Sequence, residues 1–284
     1  VLEGTHAALQ RMQLDYVDLL FCHRPDVRTP IEETVWAMNL LIQQGKALYW
    51  GTSEWTAAQI MEAYHVARRD RLLPPQMEQP QYHMFHRERV EVEYAHLYER
   101  IGLGTTIWSP LAGGLLTGKY ARGIPEDTRV TASGFEWLRP RFEGEGAAAK
   151  IDKVRRLEPV AGELGCTLAQ LALAWCLKNP RVSTVITGAS KAWQVEENMK
   201  ALDTAAKLTP EVIDQIEQVL QNAPEPPTDT AGPEPPTERQ ADRGLHDRLL
   251  CRCPDLRNGP PPRPAGSSHG PGWPRRRSRP GAAV

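Results

Sequence analysis

The chain of 284 residues is long enough to bury a large core as one domain or two, and its formal net charge is -1. Residues 1–223 hold 24 Lys and Arg against 28 Asp and Glu, a net charge of -4, which excludes the broad basic field of a nucleic-acid-binding protein. The sequence has no apolar run of about 18 residues that is predicted to span a membrane, and its five scattered cysteines form no disulfide framework, as is typical of a reducing compartment.

Five short apolar runs bounded by turn residues predict five buried strands. They cover residues 16–22, 47–52, 77–83, a run that starts at Thr105, and 183–187. The third strand is the weakest because Pro80 removes one backbone donor from the ladder. The first four strands start 28 to 31 residues apart, and a helical pattern follows each, which is the spacing of a βα repeat with parallel strands.

The helices are predicted from capping motifs and from apolar residues at helical spacing. Thr56 with Gln59 and Thr167 with Gln170 form capping boxes. The segment Thr29-Pro30-Ile31-Glu32 is expected to start another helix with its first threonine as the N-cap. Further helices are predicted over residues 1–14, 90–101, 150–164 and 196–202 and from Thr209 onward, and residues 120 to 148 are expected to form a long loop.

A parallel βα repeat can form an open doubly wound sheet or a closed (β/α)8 barrel. No G-x-G-x-x-G follows the first strand, and every candidate site residue falls at the carboxyl end of a strand, which favours the barrel. Since a barrel needs eight strands, we expect about five of the eight βα units, that is, a (β/α)8 TIM barrel truncated at its N-terminus. The strands at the open edges are expected to expose backbone groups and apolar faces.

The composition changes after Ala223. Fourteen of the 25 prolines lie in the last 61 residues, where no lysine occurs and Trp273 is the only aromatic residue. Such a segment cannot offset its ordering entropy by burial. We therefore expect one folded domain over residues 1–222 and a disordered tail over residues 223–284.

The stretch Thr105–Lys119 has the outline of a cofactor site. A short apolar strand stops at Pro110, and Gly113 and Gly114 then remove side chains, so a flat ligand could approach the backbone closely. Lys119 lies within reach of a phosphate group. An ordinary strand-to-helix turn with a solvated lysine is the alternative.

Several motifs, in this order along the chain, resemble those of one enzyme family. They are His23-Arg24-Pro25-Asp26, Tyr49-Trp50-Gly51-Thr52-Ser53, Glu78-Gln79, Trp108-Ser109-Pro110-Leu111-Ala112 with Gly118-Lys119-Tyr120, and Gly188-Ala189-Ser190. Residues 1 to about 222 resemble the aldo-keto reductases and, within that superfamily, the β subunits of Shaker-type voltage-gated potassium channels. His23 and Glu54 resemble the plant-type branch, since the animal branch carries Asn and Arg there. The resemblance implies a (β/α)8 barrel that binds NADPH at its C-terminal mouth and transfers hydride to an aldehyde or ketone.

The resemblance also implies a set of cofactor-binding residues. Trp108 is similar to the aromatic residue that stacks on the nicotinamide, and Ser53 and Gln79 resemble the hydrogen-bonding partners of the carboxamide. The pyrophosphate positions are matched by Ser109, Pro110, Leu111, Ala112, Gly113, Lys119 and Arg129, and the adenosine end is matched by Gly188, Ser190, Gln194, Glu197 and Asn198. The adenosine end also suits a phosphate on physical grounds, because free N–H groups and the helix dipole point outward there.

His23 resembles the position beside the catalytic tyrosine, where an imidazole would donate to the substrate carbonyl and orient it. A strand-end histidine with a purely structural role is the alternative. In the family, the proton donor is a tyrosine whose pKa is lowered by a lysine paired with an aspartate, and all three come from the first three βα units. No Tyr-Lys-Asp set in this sequence replaces them. We therefore expect an NADP-dependent oxidoreductase by family that does not reduce carbonyl compounds as this chain alone.

Further expectations from the resemblance concern partners and location. A small carbonyl compound is the expected substrate, and neither a nucleic acid nor a bound metal is expected. The resemblance also implies a cytoplasmic homo-tetramer that docks on the α subunit of a voltage-gated potassium channel and so lies at the membrane periphery. A regulatory subunit with little turnover and an inactive fragment are the alternatives to an enzyme.

Overall fold

The computed structural model describes residues 1–121, 123–126, 128, 130, 131, 133, 134, 139, 140 and 142–225. The strands are β1 (Val17–Cys22), β2 (Ala47–Thr52), β3 (Met77–Glu78), β4 (Gly104–Ile107) and β5 (Thr184–Val185). The helices are α1 (Leu2–Met12), α2 (Ile31–Gln43), α3 (Ala57–Arg69), α4 (Ala95–Arg100), α5 (Glu145–Glu163), α6 (Leu168–Lys178), α7 (Ala192–Met199), α8 (Ala201–Lys207) and α9 (Pro210–Leu220). From residue 226 onward, the predicted tail lies outside the described residues.

The five strands of the described residues form one sheet in the order β1-β2-β3-β4-β5. Every neighbouring pair is parallel, with Leu19 opposite Tyr49, Glu78 opposite Thr105, and Ile107 opposite Val185. A doubly wound sheet reverses its strand order at a switch point, whereas this sheet runs in sequence without reversal. The prediction of a parallel sheet with helical crossovers is confirmed, and the carboxyl ends of all five strands lie along one edge.

Two apolar clusters form the core. The first packs α2, α3 and α4 against the sheet through Val35, Met38, Leu41, Trp50, Ile60 and Leu97, and the second joins β4 to α5, α6 and α9 through Ile107, Leu116, Leu157, Leu171 and Ile216. Trp50 is fully buried and donates its indole N–H to the Leu73 carbonyl at 2.8 Å. Burying a side chain of this size stabilises the fold by about 2–3 kcal/mol. Helices α2 and α3 thereby hold β2, and this fixes the position of its carboxyl end.

The helix starts separate correct from incorrect capping predictions. Thr56 with Gln59 and Thr167 with Gln170 form both predicted capping boxes. The prediction that Thr29 caps α2 is wrong, because the N-cap is Pro30 and no side chain caps this helix. The Thr29 hydroxyl donates instead to the Asp26 carboxylate at 2.9 Å. A short polar side chain that forms a hydrogen bond in the preceding turn is not available to cap the helix.

Several predicted boundaries shift in the structure. The strand expected over 77–83 is limited to Met77–Glu78, since Pro80 cannot donate to the ladder. The helix expected over 90–101 is a π-helical turn at Arg89–Glu93 followed by α4. The helix expected over 196–202 starts earlier and is divided into α7 and α8, and α5 begins at Glu145, inside the stretch predicted as a loop. Residues 112–117, predicted as part of a loop, contain 3-10 turns that are interrupted by a kink at Gly113 and Gly114, where φ is positive.

The first strand is not the fully buried strand that its apolar run predicts. Leu19 on β1 and Tyr49 on β2 lie opposite each other and are 46% and 49% exposed. The apolar face expected at this edge of the sheet is therefore present. None of the helices that the structure describes is by itself long and apolar enough to cross a membrane; α5 and α6 meet those limits only as a pair, which is bent by 87°.

Candidate functional site

Three of the predicted site residues meet where β2, β3 and β4 end. Ser53 follows β2, Gln79 follows β3 and Trp108 follows β4. The Ser53 hydroxyl donates to the Gln79 carbonyl at 2.9 Å, and the backbone N–H of Gln79 donates to the Thr52 carbonyl at 2.8 Å. The backbone N–H of Trp108 donates to the Pro80 carbonyl at 3.0 Å. We refer to Ser53, Glu54, Gln79 and Trp108 as the strand-end cluster.

His23 lies directly after β1, beside this cluster, and its side chain is exposed. Its neighbour Arg24 donates from one guanidinium nitrogen to the His23 carbonyl at 2.5 Å and to the Ser53 hydroxyl at 3.1 Å. The Ser53 hydroxyl thus donates once and accepts once, and one of its two lone pairs remains for a further hydrogen bond. Arg24 lies inside the motif that begins at His23, but its contact with Ser53 has no signal in the sequence, because the two residues are 29 positions apart.

Glu54 makes the densest set of contacts in the strand-end cluster. One carboxylate oxygen accepts the Trp108 indole N–H at 2.9 Å and the Gln81 backbone N–H at 2.5 Å, and the other accepts a guanidinium N–H of Arg89 at 2.9 Å. The Glu54 side chain is 19% exposed. Its backbone adopts φ 60°, in the left-handed region that non-glycine residues rarely occupy. From the sequence alone, Glu54 is recognisable only as a residue shared with the plant-type branch of the family. Its contacts cannot be predicted, because its partners lie up to 54 positions away.

A buried carboxyl group, that of Glu78, lies next to the cluster. It accepts hydrogen bonds from the Thr52 hydroxyl and, at 3.2 Å, from the Trp55 backbone N–H. Because the side chain is completely buried, desolvation raises the pKa of Glu78 to about 7, and these two hydrogen bonds oppose the shift. Thr52 and Trp55 flank Ser53 and Glu54 in the chain, so this buried carboxyl group lies directly beside the strand-end cluster.

The predicted pyrophosphate loop follows β4. Ser109, Ala112, Gly113 and Gly114 all have positive φ, at 60°, 52°, 70° and 100°. A Cβ atom added to Gly114 would lie 3.0 Å from Cε of Lys119, so the lysine side chain passes directly over this glycine. The backbone of Pro110 and Leu111 connects the strand to this turn.

Two aromatic residues support the same loop. The Tyr120 ring lies 5.0 Å from the Lys119 ammonium and 4.4 Å from the Phe142 ring. Within the described residues, the buried Tyr120 hydroxyl has no hydrogen-bond partner. The predicted site residue Arg129 lies outside the described residues.

The remaining predicted residues lie at and after the start of α7. The Gln194 side-chain oxygen accepts the backbone N–H groups of Ser190 at 2.7 Å and Lys191 at 3.1 Å. Gly188 and Ser190 are exposed. We refer to residues 188–194 as the α7 start. Two amides just before the helix, those of Ser190 and Lys191, are therefore bonded to Gln194 in this structure.

Glu197 and Asn198 are farther along α7 and have a different environment. Glu197 accepts a hydrogen bond from the Gln170 side-chain amide at 2.9 Å and pairs with Lys200. Asn198 is 8% exposed. Glu197 thus links α7 to α6.

Other reactive groups among the described residues are dispersed. No three His, Cys, Asp or Glu side chains in the described ranges converge on a position that could hold a metal ion. Cys22, Cys166 and Cys176 are free thiols. Burial raises the pKa of Cys22 to about 12 and also raises that of Cys176, so neither thiol is activated as a nucleophile.

Comparisons with known proteins show the family to which the chain is related. A family model described as the aldo/keto reductase family matches residues 1–221, a range that includes every predicted site residue. An Arabidopsis thaliana protein named "Probable voltage-gated potassium channel subunit beta" is 54% identical over 228 residues, which cover 80% of this chain and 69% of that protein. An Oryza sativa subsp. japonica protein of the same name is 54% identical over 225 residues, covering 79% of this chain and 68% of that protein.

Proposed function

Because the chain belongs to the aldo/keto reductase family, we propose that its sheet is part of a (β/α)8 barrel and that residues 1–222 form an NADP(H)-binding oxidoreductase domain, followed by a separate tail over 223–284. The sequential order of five parallel strands supports the barrel. The exposed pair Leu19 and Tyr49 supports it as well, since a closed barrel would cover the apolar face that this edge presents.

One observation carries the cofactor proposal: residues from the ends of three different strands converge in the strand-end cluster. Trp108 would stack on the nicotinamide ring, and Ser53 and Gln79 would bind its carboxamide. The Ser53 hydroxyl fits this role because, with Arg24 and Gln79 as partners, it retains one lone pair for the carboxamide N–H.

The loop after β4 also fits the cofactor. Ser109, Pro110, Leu111, Ala112 and Gly113 would line the pyrophosphate, and Lys119 would neutralise its charge. The absence of a side chain at Gly114 lets Lys119 lie against the loop backbone, since a Cβ atom there would meet the lysine Cε at 3.0 Å, and the Tyr120 hydroxyl lies buried without a partner in the described residues. Arg129 would lie over the same loop, and Gly188, Ser190, Gln194, Glu197 and Asn198 would bind the adenosine end.

NADPH, when bound, supplies the hydride for reduction of an aldehyde or ketone. His23 would donate a hydrogen bond to the substrate carbonyl, which it could reach from its exposed position after β1. We infer that no proton donor lies beside the cofactor among the residues that the structure describes. Burial raises the pKa of Tyr82 and Tyr94, so both are weaker acids than a free tyrosine, and Tyr82 is already bonded to Glu91. We therefore propose that this 284-residue chain binds the cofactor without catalysing steady carbonyl reduction.

Calorimetric titration of the purified chain with NADP⁺ and with NADPH tests this function. Trp108→Ala should weaken binding at least about tenfold, because a stacked indole contributes both the burial of apolar surface and the attraction between two stacked rings. The control Trp36→Ala removes a tryptophan that is 53% exposed on α2 and should leave the affinity unchanged. A folded wild-type chain that binds neither nucleotide would refute the cofactor proposal, and steady NADPH-dependent reduction of an aldehyde would refute the proposed lack of turnover.

A second candidate function is that of a regulatory, cytoplasmic β subunit, and the 54% identity to two plant proteins of that name favours it. In this role the chain would form a homo-tetramer on the α subunit of a voltage-gated potassium channel and respond to the redox state of bound NADP(H). Co-purification with the cytoplasmic tetramerisation domain of a plant channel, at a defined stoichiometry, tests it. Absence of that complex, together with nucleotide binding, would leave the oxidoreductase function alone.

A further inference from the structure

Trp108 is held both by its backbone and by its indole N–H. Its backbone N–H donates to the Pro80 carbonyl at 3.0 Å, and its backbone carbonyl accepts the Tyr82 N–H at 3.3 Å. The indole N–H donates to the Glu54 carboxylate at 2.9 Å. A tryptophan side chain has only two rotatable bonds. Once the backbone is fixed, a hydrogen bond from the indole N–H therefore restricts both of these torsion angles.

Glu54 occupies a backbone conformation that does not favour a side chain. Its φ of 60° is readily adopted by glycine and rarely by other residues. The contacts of the carboxylate are therefore what glutamate contributes at this position. Both carboxylate oxygens are used, one by the Trp108 indole and the Gln81 backbone, the other by Arg89.

A second layer holds Arg89 in place. Its guanidinium also pairs with Glu93 at 3.1 Å and donates to the Glu54 carbonyl at 3.2 Å. Glu93 in turn accepts the backbone N–H of Ala57, at the start of α3, at 2.8 Å. The Glu54 carboxylate is thus tied to the start of α3 and to the π-helical turn, and it is not free to follow a moving indole.

We propose that Glu54 is a positioning residue, whose carboxylate fixes the plane of the Trp108 indole and thereby the surface on which the nicotinamide ring stacks. The identity of the stacked ring rests on the proposed function. The indole contact itself does not depend on it. If Glu54 served only to pair with Arg89, the orientation of the indole would be independent of residue 54.

Nuclear magnetic resonance of the indole N–H groups tests the positional part without any cofactor. The full chain contains eight tryptophans, and the resonance that disappears in Trp108→Phe belongs to Trp108. Glu54→Gly should move this resonance upfield and accelerate its exchange with water, because the acceptor is lost while the backbone strain is relieved. Glu54→Gln, which retains an acceptor oxygen, should move it less. The control Glu62→Gln changes an exposed glutamate on α3 and should leave the resonance unchanged.

Titration of the same variants with NADP⁺ tests the cofactor part. Glu54→Gly should raise the dissociation constant about three- to tenfold, the range for loss of one orienting hydrogen bond, and Glu54→Gln should recover part of this loss. An unchanged Trp108 resonance in Glu54→Gly overturns the proposal, and so does a shifted resonance with unchanged NADP⁺ affinity. A wild-type chain that does not bind NADP⁺ overturns the proposed function and the cofactor part, while a shifted resonance would still support the contact between Glu54 and Trp108.

Discussion

The strand-end cluster and the α7 start are both candidate cofactor-binding regions, but they are built differently. Contacts of the strand-end cluster join residues up to 54 positions apart and lie beside a fully buried carboxyl group. Contacts of the α7 start join Gln194 to amides three and four positions before it, and Gly188 and Ser190 are exposed. The first region depends on the whole sheet, whereas the second is mostly local.

This difference indicates how each region would bind its part of a dinucleotide. Hydrogen bonds between strands fix the strand-end cluster before a ligand arrives, so it can orient a ring with little loss of side-chain entropy. At the α7 start, a phosphate would compete with the Gln194 side chain for the same N–H groups. We therefore expect orientation to come mainly from the first region, and adjustable affinity from the second.

The change expected to damage the strand-end cluster most is Gly51→Ala. A Cβ atom at this position on β2 would lie 2.2 Å from the carbonyl oxygen of Met77 on β3, a contact that only a shift of backbone could relieve. We expect the free energy of unfolding to fall by about 2–4 kcal/mol, as for overpacking of a buried position. Urea denaturation measures the effect.

Gly162→Ala is the matched control for this substitution. It places the same methyl group near the end of α5, where no atom lies within 4 Å. Alanine is the better helix former, so this variant should be as stable as the wild type or more stable by up to about 1 kcal/mol. Equal stability of Gly51→Ala and the wild type would show that β2 and β3 are not packed as closely as described.

The second prediction concerns the pH dependence that Glu78 gives to the same region. Its pKa is about 7 in the folded chain, above the ordinary value of 4.5, so the folded state retains a proton that the unfolded state has lost. Stability should therefore be highest below the ordinary pKa, fall as the pH rises from the ordinary to the folded pKa, and be constant above it, with a total loss of about 3 kcal/mol.

Urea denaturation of the wild type and of Glu78→Gln between pH 5 and pH 8 measures this effect, because this range covers most of the decline and the plateau above the folded pKa. The neutral amide cannot ionise, so the variant should lose most of the decline over this window. The matched control is Glu62→Gln on α3, where the wild-type pH profile should be preserved. A decline that persists in Glu78→Gln would assign it to another group.

The local parts of the molecule were predictable from the sequence, and the strand-end cluster was predictable only in part. The capping boxes at Thr56 and Thr167 were correctly identified because both partners lie within four residues of chain. The prediction that Thr29 caps α2 was wrong because Asp26, three residues earlier, accepts the hydrogen bond of the Thr29 hydroxyl.

Contacts across the sheet have no local signature. Ser53, Gln79 and Trp108 could be placed at one edge, because parallel strands end together. That the Glu54 carboxylate accepts the Trp108 indole N–H could not be predicted, since it depends on the register of β2, β3 and β4 and on a side-chain direction at a positive φ. Burial of Glu78 likewise follows from packing on a strand only two residues long.

The smallest expected effect is at the α7 start, where stability and binding should change in opposite directions. In Gln194→Glu, a carboxylate would accept the Ser190 and Lys191 N–H groups near a helix N-terminus and should raise the free energy of unfolding by about 0.3–1 kcal/mol. The same charge would repel a phosphate, so the dissociation constant for NADP⁺ should rise about three- to tenfold, and less at high salt.

Two comparisons make this last prediction specific. Gln218→Glu adds the same charge at an exposed position on α9 and should leave NADP⁺ affinity unchanged. NAD⁺ lacks the phosphate on the adenosine ribose, so Gln194→Glu should weaken its binding less than that of NADP⁺. An equal loss for both nucleotides would mean that the charge acts on the pyrophosphate, and the α7 start would then not be the adenosine end. Loss of both stability and affinity would mean instead that the Gln194 amide nitrogen is needed in a contact that carboxylate cannot make.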